Sequence, residues 1–348
     1  MRNIDTILQS GSIDEIQDYF LLGVSRTFAL TIPALPDLLR TAVSNGYLLC
    51  RIVDCIEDDP ELVLEQKKFF SNQFINVVDG NDKATEFAQA LLPLLSDATI
   101  PEEKELIKCT PEVIKITHSF GPEQREALST CVHIMAEGMM HYQELDTSKG
   151  VQSISELERY CYYVAGVVGE LLTRLYCNYS DEIENNRSSL MKLSVCFGQG
   201  LQMTNIIKDI WTDKERNVCW LPRAEFEKHG FNLNDLVVGD NGRGFEKGVA
   251  ELIGVAHLRL SEALDYTLLI PRQETGIRNF CLFAIGMALL SLKKIHGSKQ
   301  FLSGHEVKIS RNSVKLVIIL SRVFVRSNLM LKFFFKVAGW GLPINHNS

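Results

Sequence analysis

The most constraining feature of the sequence is a strongly apolar run, residues 47–59, that ends in a cluster of carboxylates. If this run is helical, Arg51, Asp54 and Asp58 follow Tyr47 by four, seven and eleven residues, which places all four side chains on one face. Carboxylates one turn apart repel each other and destabilise a helix by roughly 0.2–0.5 kcal/mol. Taken alone, the segment fits a solvated acidic helix end as well as it fits a pair of oxygen ligands for a divalent cation such as Mg²⁺.

A second stripe with the same geometry closes a later apolar helix. Asn205, Asp209 and Asp213 follow Gln202 by three, seven and eleven residues. Two such stripes in one helical chain are hard to attribute to solvated helix ends, so together they indicate diphosphate binding through divalent metal ions. The charged stretch that follows could bring Arg216 to a phosphate, and an ordinary surface loop explains that stretch equally well.

Helical periodicity runs through almost the whole chain, whereas the alternation of a half-buried strand is nearly absent, so the sequence predicts an all-α fold. One helix should run from Pro36 to about Asp59, where Pro60 breaks it. Asp59 should then cap the next helix, which Gly80 ends. Further helices are predicted over 122–145, 153–177, 181–213, 245–268 and 272–296.

The composition excludes several classes of protein. A formal charge of −7 and the lack of a large basic block argue against nucleic acid as a partner. Nine cysteines without a C-x-x-C pair, and an N-terminus unlike a signal peptide, predict a protein of a reducing, cytoplasmic compartment. The protein is also expected to be a monomer. Walker and Rossmann glycine motifs are absent from the sequence, so those devices hold no nucleotide.

Two further helical patterns contain candidate site residues. Gly166 and Gly169 each cost a helix up to about 1 kcal/mol relative to alanine, which indicates close approach of another helix or of a ligand. His133, Glu137 and His141 recur every four residues and drift by about 40° per step. With no fourth ligand nearby in sequence, this trio is interpreted as a packed or solvated helix face rather than a metal site.

The C-terminal tail, residues 312–348, differs from the rest of the chain in charge, since no acidic residue follows Glu306. The pattern predicts a basic amphipathic helix at a membrane surface, and a terminal core helix with solvated lysines is the alternative. No uncharged run reaches about 18 residues, which argues against a spanning helix in the tail. The basic face is predicted to comprise Lys315, Arg322, Arg326 and Lys336, opposite the apolar residues Leu316, Ile319, Leu320, Leu329 and Phe334.

The two stripes, together with long apolar helices, suggest one chemistry. Metal ions held by the aspartates would stabilise a departing diphosphate, and a dry apolar cavity would protect the resulting carbocation from water. The sequence resembles the squalene and phytoene synthase family of head-to-head prenyl transferases over roughly residues 20–315. The resemblance is carried by four motifs in order, which contain Ser25-Arg26-Thr27-Phe28, Tyr47 to Asp58, Tyr160 to Gly166, and Gln202 to Asp213.

The resemblance implies the isoprenoid synthase fold, with helices around a central apolar cavity and two facing aspartate-rich sites in a single catalytic domain, residues 1–348. It implies Mg²⁺, with Mn²⁺ as a substitute, on Asp54, Glu57, Asp58, Asn205, Asp209 and Asp213. Substrate contacts would come from Ser25, Arg26, Phe28, Tyr47, Arg51, Gln202, Asn205 and Arg216. Tyr160 would assist proton loss beside the reacting carbons, and NADPH phosphates would meet Lys208, Lys308 and Arg311.

The implied reaction joins two farnesyl diphosphates to presqualene diphosphate and then reduces this intermediate with NADPH to squalene. The alternative is a relative that makes dehydrosqualene or phytoene without the reductive step. Three positions depart from the family pattern. Thr212 replaces a usual glutamate, Lys208 replaces a common arginine, and Ser310 stands where the squalene branch tends to have a basic residue.

Overall fold

The computed structural model describes residues 4, 7–8, 11–25, 28–239, 241–298 and 301–345. Within these ranges the regular structure is helical, apart from one isolated bridge between Val151 and Pro222, which confirms the all-α prediction. In chain order the α-helices are α1 (Ile13–Val24), α2 (Phe28–Thr31), α3 (Asp37–Asp58), α4 (Leu64–Asp79), α5 (Ala84–Leu91), α6 (Pro101–Lys108), α7 (Thr110–Ser119), α8 (Pro122–Gln143), α9 (Ile154–Cys161), α10 (Val167–Tyr179), α11 (Asp181–Glu184), α12 (Arg187–Glu215), α13 (Arg223–Glu227), α14 (Gly242–Leu269), α15 (Thr275–Gly297), α16 (Arg311–Phe324) and α17 (Asn328–Ala338).

The chain forms two compact units. The first contains Met1–Glu144 and Leu171–Asn185, and the second contains Leu145–Glu170 and Asn186–Ser348. The boundary falls inside α10, so this helix contributes its first turn to the second unit and the remainder to the first.

The core of the first unit is built on α3, which packs against α1 and α8. Gly46 permits the approach, since a Cβ there would lie 3.1 Å from Leu128 of α8 and 3.0 Å from Leu171. Phe74 and Phe87 are fully buried with ring centroids 5.2 Å apart and join α4 to α5. The predicted helix from Pro36 to Asp59 is thus confirmed as α3, and its apolar faces place the first acidic stripe on a rigid element.

The second unit is organised around the long helices α12 and α14. A segment of π-helix, Tyr162–Gly166, joins α9 to α10 and packs against α12. A Cβ at Gly169 would collide with the carbonyl of Ser194, and one at Gly198 would collide with the carbonyl of Ala165. The close approach predicted from Gly166 and Gly169 is therefore that of another helix.

The predicted start of the helix after α3 is wrong. Asp59 does not begin that helix, because α4 starts at Leu64. The buried Asp59 carboxylate instead accepts hydrogen bonds from Ser96 (2.8 Å from its backbone N) and Thr99 (2.7 Å from Oγ1), as well as from the backbone of Glu61. Burial alone would raise the pKa of Asp59, but these hydrogen bonds outweigh it and lower the pKa.

The trio on α8 lies on a largely exposed face, with His133 partly buried and Glu137 and His141 exposed. His133 Nε2 lies 2.9 Å from Asp79 Oδ2 at the end of α4, and the ring of His141 contacts Tyr142. All nine cysteines are free thiols, eight of them buried, as the sequence predicted.

The tail forms α16 and α17, which pack against α15 and against each other. The basic side chains are exposed as predicted, but the proposed apolar face is not fully opposed to them. Leu316, Ile319 and Leu329 are between 55% and 76% exposed, so they lie on the surface together with the basic side chains. Within the described ranges, the helix long and apolar enough to cross a membrane is α15, and 56% of its most apolar stretch is buried, as in a core helix.

Candidate active site

The first acidic stripe lies along α3 in the first unit. Tyr47 contacts the ring of Phe28 with centroids 4.9 Å apart, and its hydroxyl donates to the carbonyl of Val24 at 3.4 Å. Ser25 Oγ accepts a hydrogen bond from the backbone N–H of Phe28 at 3.1 Å. The structure thus brings Ser25 and Phe28 to the N-terminal end of the stripe, whereas Arg26 lies outside the described residues.

Arg51 is held between two carboxylates. Its Nη1 lies 3.5 Å from Asp54 Oδ2, and its Nη2 donates to Glu103 at the start of α6. Glu103 is largely buried, with 11% of its side chain exposed. Sequence reasoning missed this residue, because 52 positions separate it from Arg51 and no local pattern marks it. The ion pair aims the guanidinium along the stripe and leaves it suited to a phosphate.

The positive charges near this stripe do not fully neutralise its carboxylates. Burial raises the pKa of Asp54 to about 7, the charge of Arg51 opposes the rise, and Asp58 adds to it. Burial also raises the pKa of Glu57 to about 8, again with a contribution from Asp58. A divalent cation would relieve this repulsion, and oxygen donors one turn apart suit Mg²⁺. The residues present therefore fit a metal ion.

Glu57 stands apart from the other two predicted ligands. Its carboxylate accepts a hydrogen bond from Gln143 Nε2, and its backbone carbonyl accepts one from Lys67 Nζ. Over the described part of the chain, no three His, Cys, Asp or Glu side chains are grouped closely enough to hold a metal by themselves. Metal binding at this stripe would therefore rest on Asp54 and Asp58, with water and phosphate oxygens completing the shell.

The second acidic stripe lies near the C-terminal end of α12 in the second unit. Lys208 places its ammonium 3.1 Å from Asp209 Oδ2 and donates to Asn205 Oδ1 at 3.2 Å. The side chains of Lys208 and Asp209 are 32% and 38% exposed. The ammonium of Lys208 thus contacts the stripe itself, although the residue was predicted from the family resemblance to bind the cofactor.

A loop covers one side of the second stripe. The carbonyl of Phe301 accepts a hydrogen bond from Trp211 Nε1 at 2.6 Å, which ties the loop to α12. Gly304 approaches so closely that a Cβ there would lie 2.9 Å from Asp209 Oδ1. Any side chain at position 304 would intrude on the carboxylate, so glycine keeps the stripe accessible.

The remaining predicted residues of this stripe surround its two ends. Gln202 lies two turns before Asp209 on α12, and the side chains of Gln202 and Asp213 are partly exposed. The exposed Thr212 adds no carboxylate beside Asp213. Arg216 ends the helix, and its backbone N–H bonds to the carbonyl of Asp213 at 3.1 Å. The turn that follows has Asn217 at φ 57, a left-handed conformation that lets the chain reverse immediately after the stripe.

Tyr160 is at the C-terminal end of α9, immediately before the π-helix. It is 7% exposed and stacks on Trp220, with ring centroids 3.5 Å apart and an interplanar angle of 10°. Trp220 is held near α9 by pairing of the adjacent chain, where the backbone N–H of Arg223 bonds to Val151 at 2.8 Å. The stack fixes the phenol in an apolar setting, and sequence reasoning did not identify Trp220 as its partner.

The predicted cofactor residues are dispersed. Lys208 is engaged with the acidic stripe, whereas Lys308 and Arg311 are exposed at the end of the loop and the start of α16. Ser310, which replaces a basic residue, caps α16 by accepting from the backbone of Ser313 at 3.1 Å.

Sequence reasoning missed a nearby cavity of about 290 Å³. Its lining includes Arg243, Glu246, Lys247, His296 and Phe301, drawn from α14, α15 and the loop. Arg243 and Lys247 are the residues of this lining that could contact the phosphates of a cofactor such as NADPH. The residues come from separate helix ends, which is why no sequence motif marked them.

Fold and site together define a class: an all-α protein that presents two stripes of carboxylates suited to divalent cations and phosphate. The family model for squalene/phytoene synthase matches residues 21–313, so the chain belongs to that family. The match includes both stripes and Tyr160, as the sequence motifs predicted.

Curated relatives agree with this assignment. Squalene synthase from Cyberlindnera jadinii is 28% identical over 319 residues, covering 89% of this chain and 68% of that protein. Squalene synthase from Schizosaccharomyces pombe is 28% identical over 87% of this chain and 64% of its own length. Squalene synthase ERG9 from Candida albicans is 29% identical over 96% of this chain and 72% of its length. The chain thus spans about two thirds of the length of these relatives.

Solved structures show the same fold. A ligand complex of TcSQS superposes with a TM-score of 0.71 and 22% identity, covering 97% of this chain and 93% of that one. A dehydrosqualene synthase complex superposes with a TM-score of 0.67 and 17% identity, covering 92% and 99%.

Proposed function

We propose that this protein is a Mg²⁺-dependent prenyl transferase that joins two farnesyl diphosphates into presqualene diphosphate and reduces this intermediate with NADPH to squalene. The observation that carries the proposal is the pair of acidic stripes, each on its own long helix, in a chain that the family model matches over residues 21–313. The names of the curated relatives support squalene as the product.

On the first stripe, Asp54 and Asp58 would hold the metal and Arg51 would bind a diphosphate oxygen. When bound, Mg²⁺ neutralises the diphosphate and stabilises it as a leaving group. Glu103 fixes the guanidinium through the ion pair described above, so Arg51 meets its phosphate without further ordering. Tyr47 and Ser25 would add hydroxyl contacts to the same diphosphate.

On the second stripe, Asn205, Asp209 and Asp213 would serve the other diphosphate. The ammonium of Lys208 neutralises part of this charge and Thr212 supplies no further carboxylate, so the stripe has less negative charge with which to hold a metal ion. Lys208 would then act on the diphosphate itself rather than on the cofactor.

Tyr160 would assist the proton loss that accompanies closure of the cyclopropane ring, its hydroxyl oxygen taking up that proton while the hydroxyl passes its own proton to an oxygen of the departed diphosphate. Its phenol is buried against Trp220, so water has little access to compete for the proton. The face of Trp220 is occupied by this stack, and its role would be to hold Tyr160 in one orientation. NADPH supplies hydride to the intermediate when bound, and Lys308, Arg311 and the cavity lined by Arg243 would hold its phosphates.

A second product is favoured by one observation. Ser310 caps α16 and leaves the loop with one basic group fewer, which would weaken cofactor binding and yield dehydrosqualene. The test is to incubate purified protein with farnesyl diphosphate and Mg²⁺, with and without NADPH, and to identify the hydrocarbons. We expect squalene only with NADPH. The same dehydrogenated C30 product under both conditions would exclude the reductive step. Conversion of the C20 substrate to a C40 product, with no turnover of farnesyl diphosphate, would exclude farnesyl diphosphate as the substrate.

The role of Tyr160 is tested by Tyr160→Phe, which keeps the ring stacked on Trp220 and removes only the hydroxyl. Loss of a hydroxyl that relays the proton should slow presqualene diphosphate formation by about 10²- to 10⁴-fold. Thermal unfolding should be unchanged, and Tyr163→Phe in the adjacent π-helix is the matched control. A rate within about threefold of the parent would assign the proton to another group.

A further inference from the structure

Glu158 lies on α9, two residues before Tyr160, and is held from two directions. Its carboxylate accepts hydrogen bonds from Arg259 of α14, through Nε at 3.2 Å and Nη2 at 2.5 Å. Its backbone carbonyl accepts a hydrogen bond from Gln199 Nε2 of α12 at 2.9 Å. All of these residues belong to the same compact unit. Glu158 is therefore the residue through which two long helices fix the short helix that carries Tyr160.

The ion pair between Arg259 and Glu158 is largely shielded from solvent, with 15% and 19% of the two side chains exposed. Arg259 Nη1 also lies 2.8 Å from Glu262 Oε2 on the same helix, so the guanidinium is held on a second side. A planar guanidinium with several partners orients the group it binds more strictly than a flexible ammonium does. Hydrogen bonds in such a setting are also stronger than those at a fully hydrated surface.

Two glycines bring the helices of these donors close together. A Cβ at Gly198 of α12 would collide with the carbonyl of Ala165 in the π-helix. A Cβ at Gly200 would lie 3.1 Å from the backbone N of Leu260 in α14. Gln199 stands between the two glycines, so its side chain extends from a backbone that already contacts both neighbouring segments. This close packing leaves α9 little room to shift relative to its two supports.

Tyr160 projects from the face of α9 opposite to Glu158, since two residues along a helix differ by about 200°. The stack on Trp220 sets the plane of the phenol ring but lets the ring slide within that plane. A rotation of α9 by about 10° would move an atom about 6 Å from the helix axis by about 1 Å. Because a misplacement of about 1 Å can slow a reaction about 100-fold, the contacts that fix the rotation of α9 affect the rate.

We propose that Arg259 is a positioning residue for Tyr160: through Glu158 it fixes the rotation of α9 and thereby the place of the phenol hydroxyl. Gln199 supports the same helix from α12. The inference rests on the proposed function, in which the hydroxyl of Tyr160 assists proton loss. The carboxylates that Arg259 contacts, those of Glu158 and Glu262, belong to neither acidic stripe. Loss of Arg259 should therefore lower kcat and leave KM for farnesyl diphosphate nearly unchanged.

A double-mutant cycle on the rate of presqualene diphosphate formation tests this role. Arg259→Met removes the guanidinium and should lower kcat by about 10- to 100-fold, with KM within about twofold of the parent. In the Tyr160→Phe background the same substitution should lower kcat by less than about twofold, because no hydroxyl remains to be placed. A residue that merely supports the fold would lower kcat by the same factor in both backgrounds.

Two further variants make the cycle specific to this ion pair. Arg259→Lys keeps the charge but not the planar fork, so it should recover part of the lost kcat. If Arg259→Met does not fold, the same cycle with Arg259→Lys decides the question through a smaller factor. Arg40→Met is the matched control, since Arg40 of α3 pairs with Asp18 of α1 at 2.7 Å in the first unit. Its kcat should stay within about twofold of the parent.

A second readout does not depend on the reaction. The near-ultraviolet circular dichroism of the stacked rings is the difference between the parent and Tyr160→Leu, and Arg259→Met should weaken it while leaving the far-ultraviolet spectrum unchanged. Either an unchanged near-ultraviolet signal or an equal loss of kcat in both backgrounds would overturn the inference. If Tyr160→Phe instead keeps the parent rate, the proposed role of Tyr160 fails, and the near-ultraviolet signal alone then shows whether Arg259 positions its ring.

Discussion

Asp54 and Asp209 occupy corresponding places on two stripes of like spacing, but the charges around them are balanced differently. Asp54 shares Arg51 with Glu103, and its pKa is raised to about 7 by burial. Asp209 lies in a more exposed setting with the ammonium of Lys208 at 3.1 Å. Each stripe therefore has a cation of its own, but the cation of the first stripe is shared with a third carboxylate, that of Glu103, and burial there keeps the pKa of Asp54 raised.

The difference shows that equal spacing in sequence does not give equal electrostatics. The first stripe lies on a helix with its core faces buried, so removal of water raises the energy of its carboxylates. The second lies beneath a loop, with Lys208 beside it and the side chain of Asp209 38% exposed. We infer that metal dependence is concentrated on the first stripe.

The largest effect is expected from neutralising one aspartate of each stripe. Asp54→Asn should lower kcat/KM for farnesyl diphosphate by at least about 1,000-fold, and Asp209→Asn by about 100-fold, because a charge in a drier setting acts more strongly. Steady-state kinetics at saturating Mg²⁺ measures both values, and circular dichroism checks the fold. Equal losses of kcat/KM would show that the two stripes contribute equally to catalysis.

A smaller effect is expected in the stability conferred by Mg²⁺. The pKa of Asp54 rises from 3.8 to about 7 on folding, so the folded state holds a proton that the unfolded state has lost, and stability falls as the pH rises towards 7. Because Mg²⁺ binds the ionised carboxylate, it should raise Tm more at about pH 8 than at about pH 6, by roughly 2 °C or more.

Differential scanning fluorimetry with and without Mg²⁺ at both pH values gives this comparison. In the Asp54→Asn variant, the additional rise in Tm that Mg²⁺ causes at the higher pH should disappear. The Asp209→Asn variant should retain it. A shift that is independent of pH in the parent protein would contradict the raised pKa as the source of metal dependence.

The smallest effect is expected at Lys208. Lys208→Met removes the internal cation, so the Mg²⁺ concentration that gives half-maximal condensation should fall by a few-fold, in keeping with the modest strength of exposed ion pairs. Lys208→Arg retains the charge and is the matched control. If the methionine variant needs more Mg²⁺ than the parent, Lys208 assists the metal instead of competing with it.

Much of the fold was predictable because its determinants are local. Helical periodicity and flanking prolines located α3 and α8, and Gly80 ends α4 in a left-handed conformation with φ 82 as expected. The start of α4 was missed because Asp59 bonds to the distant Ser96. Propensity at positions 59–61 carries no information about that contact.

The same distinction between local patterns and contacts of distant residues applies to the candidate site. The spacing of the aspartates revealed both stripes, since a helix converts spacing into a shared face. Glu103 and Trp220 could not be found, because each meets its partner through a fold that brings distant segments together. The sequence gives the position of Lys208 on α12 but not the direction of its side chain, so Lys208 was predicted to bind the cofactor. In the structure its ammonium points to Asn205 and Asp209.

The π-helix at Tyr162–Gly166 makes the motif around Tyr160 sensitive to the number of residues as well as to their identity. Its wider turn corresponds to one extra residue within an otherwise continuous helix. Deleting a single residue there would restore an ordinary turn and rotate α9 by about 100° relative to α10, which would carry Tyr160 off its face while leaving every neighbouring side chain chemically intact. The length of this helix, and not only its composition, therefore determines where Tyr160 lies.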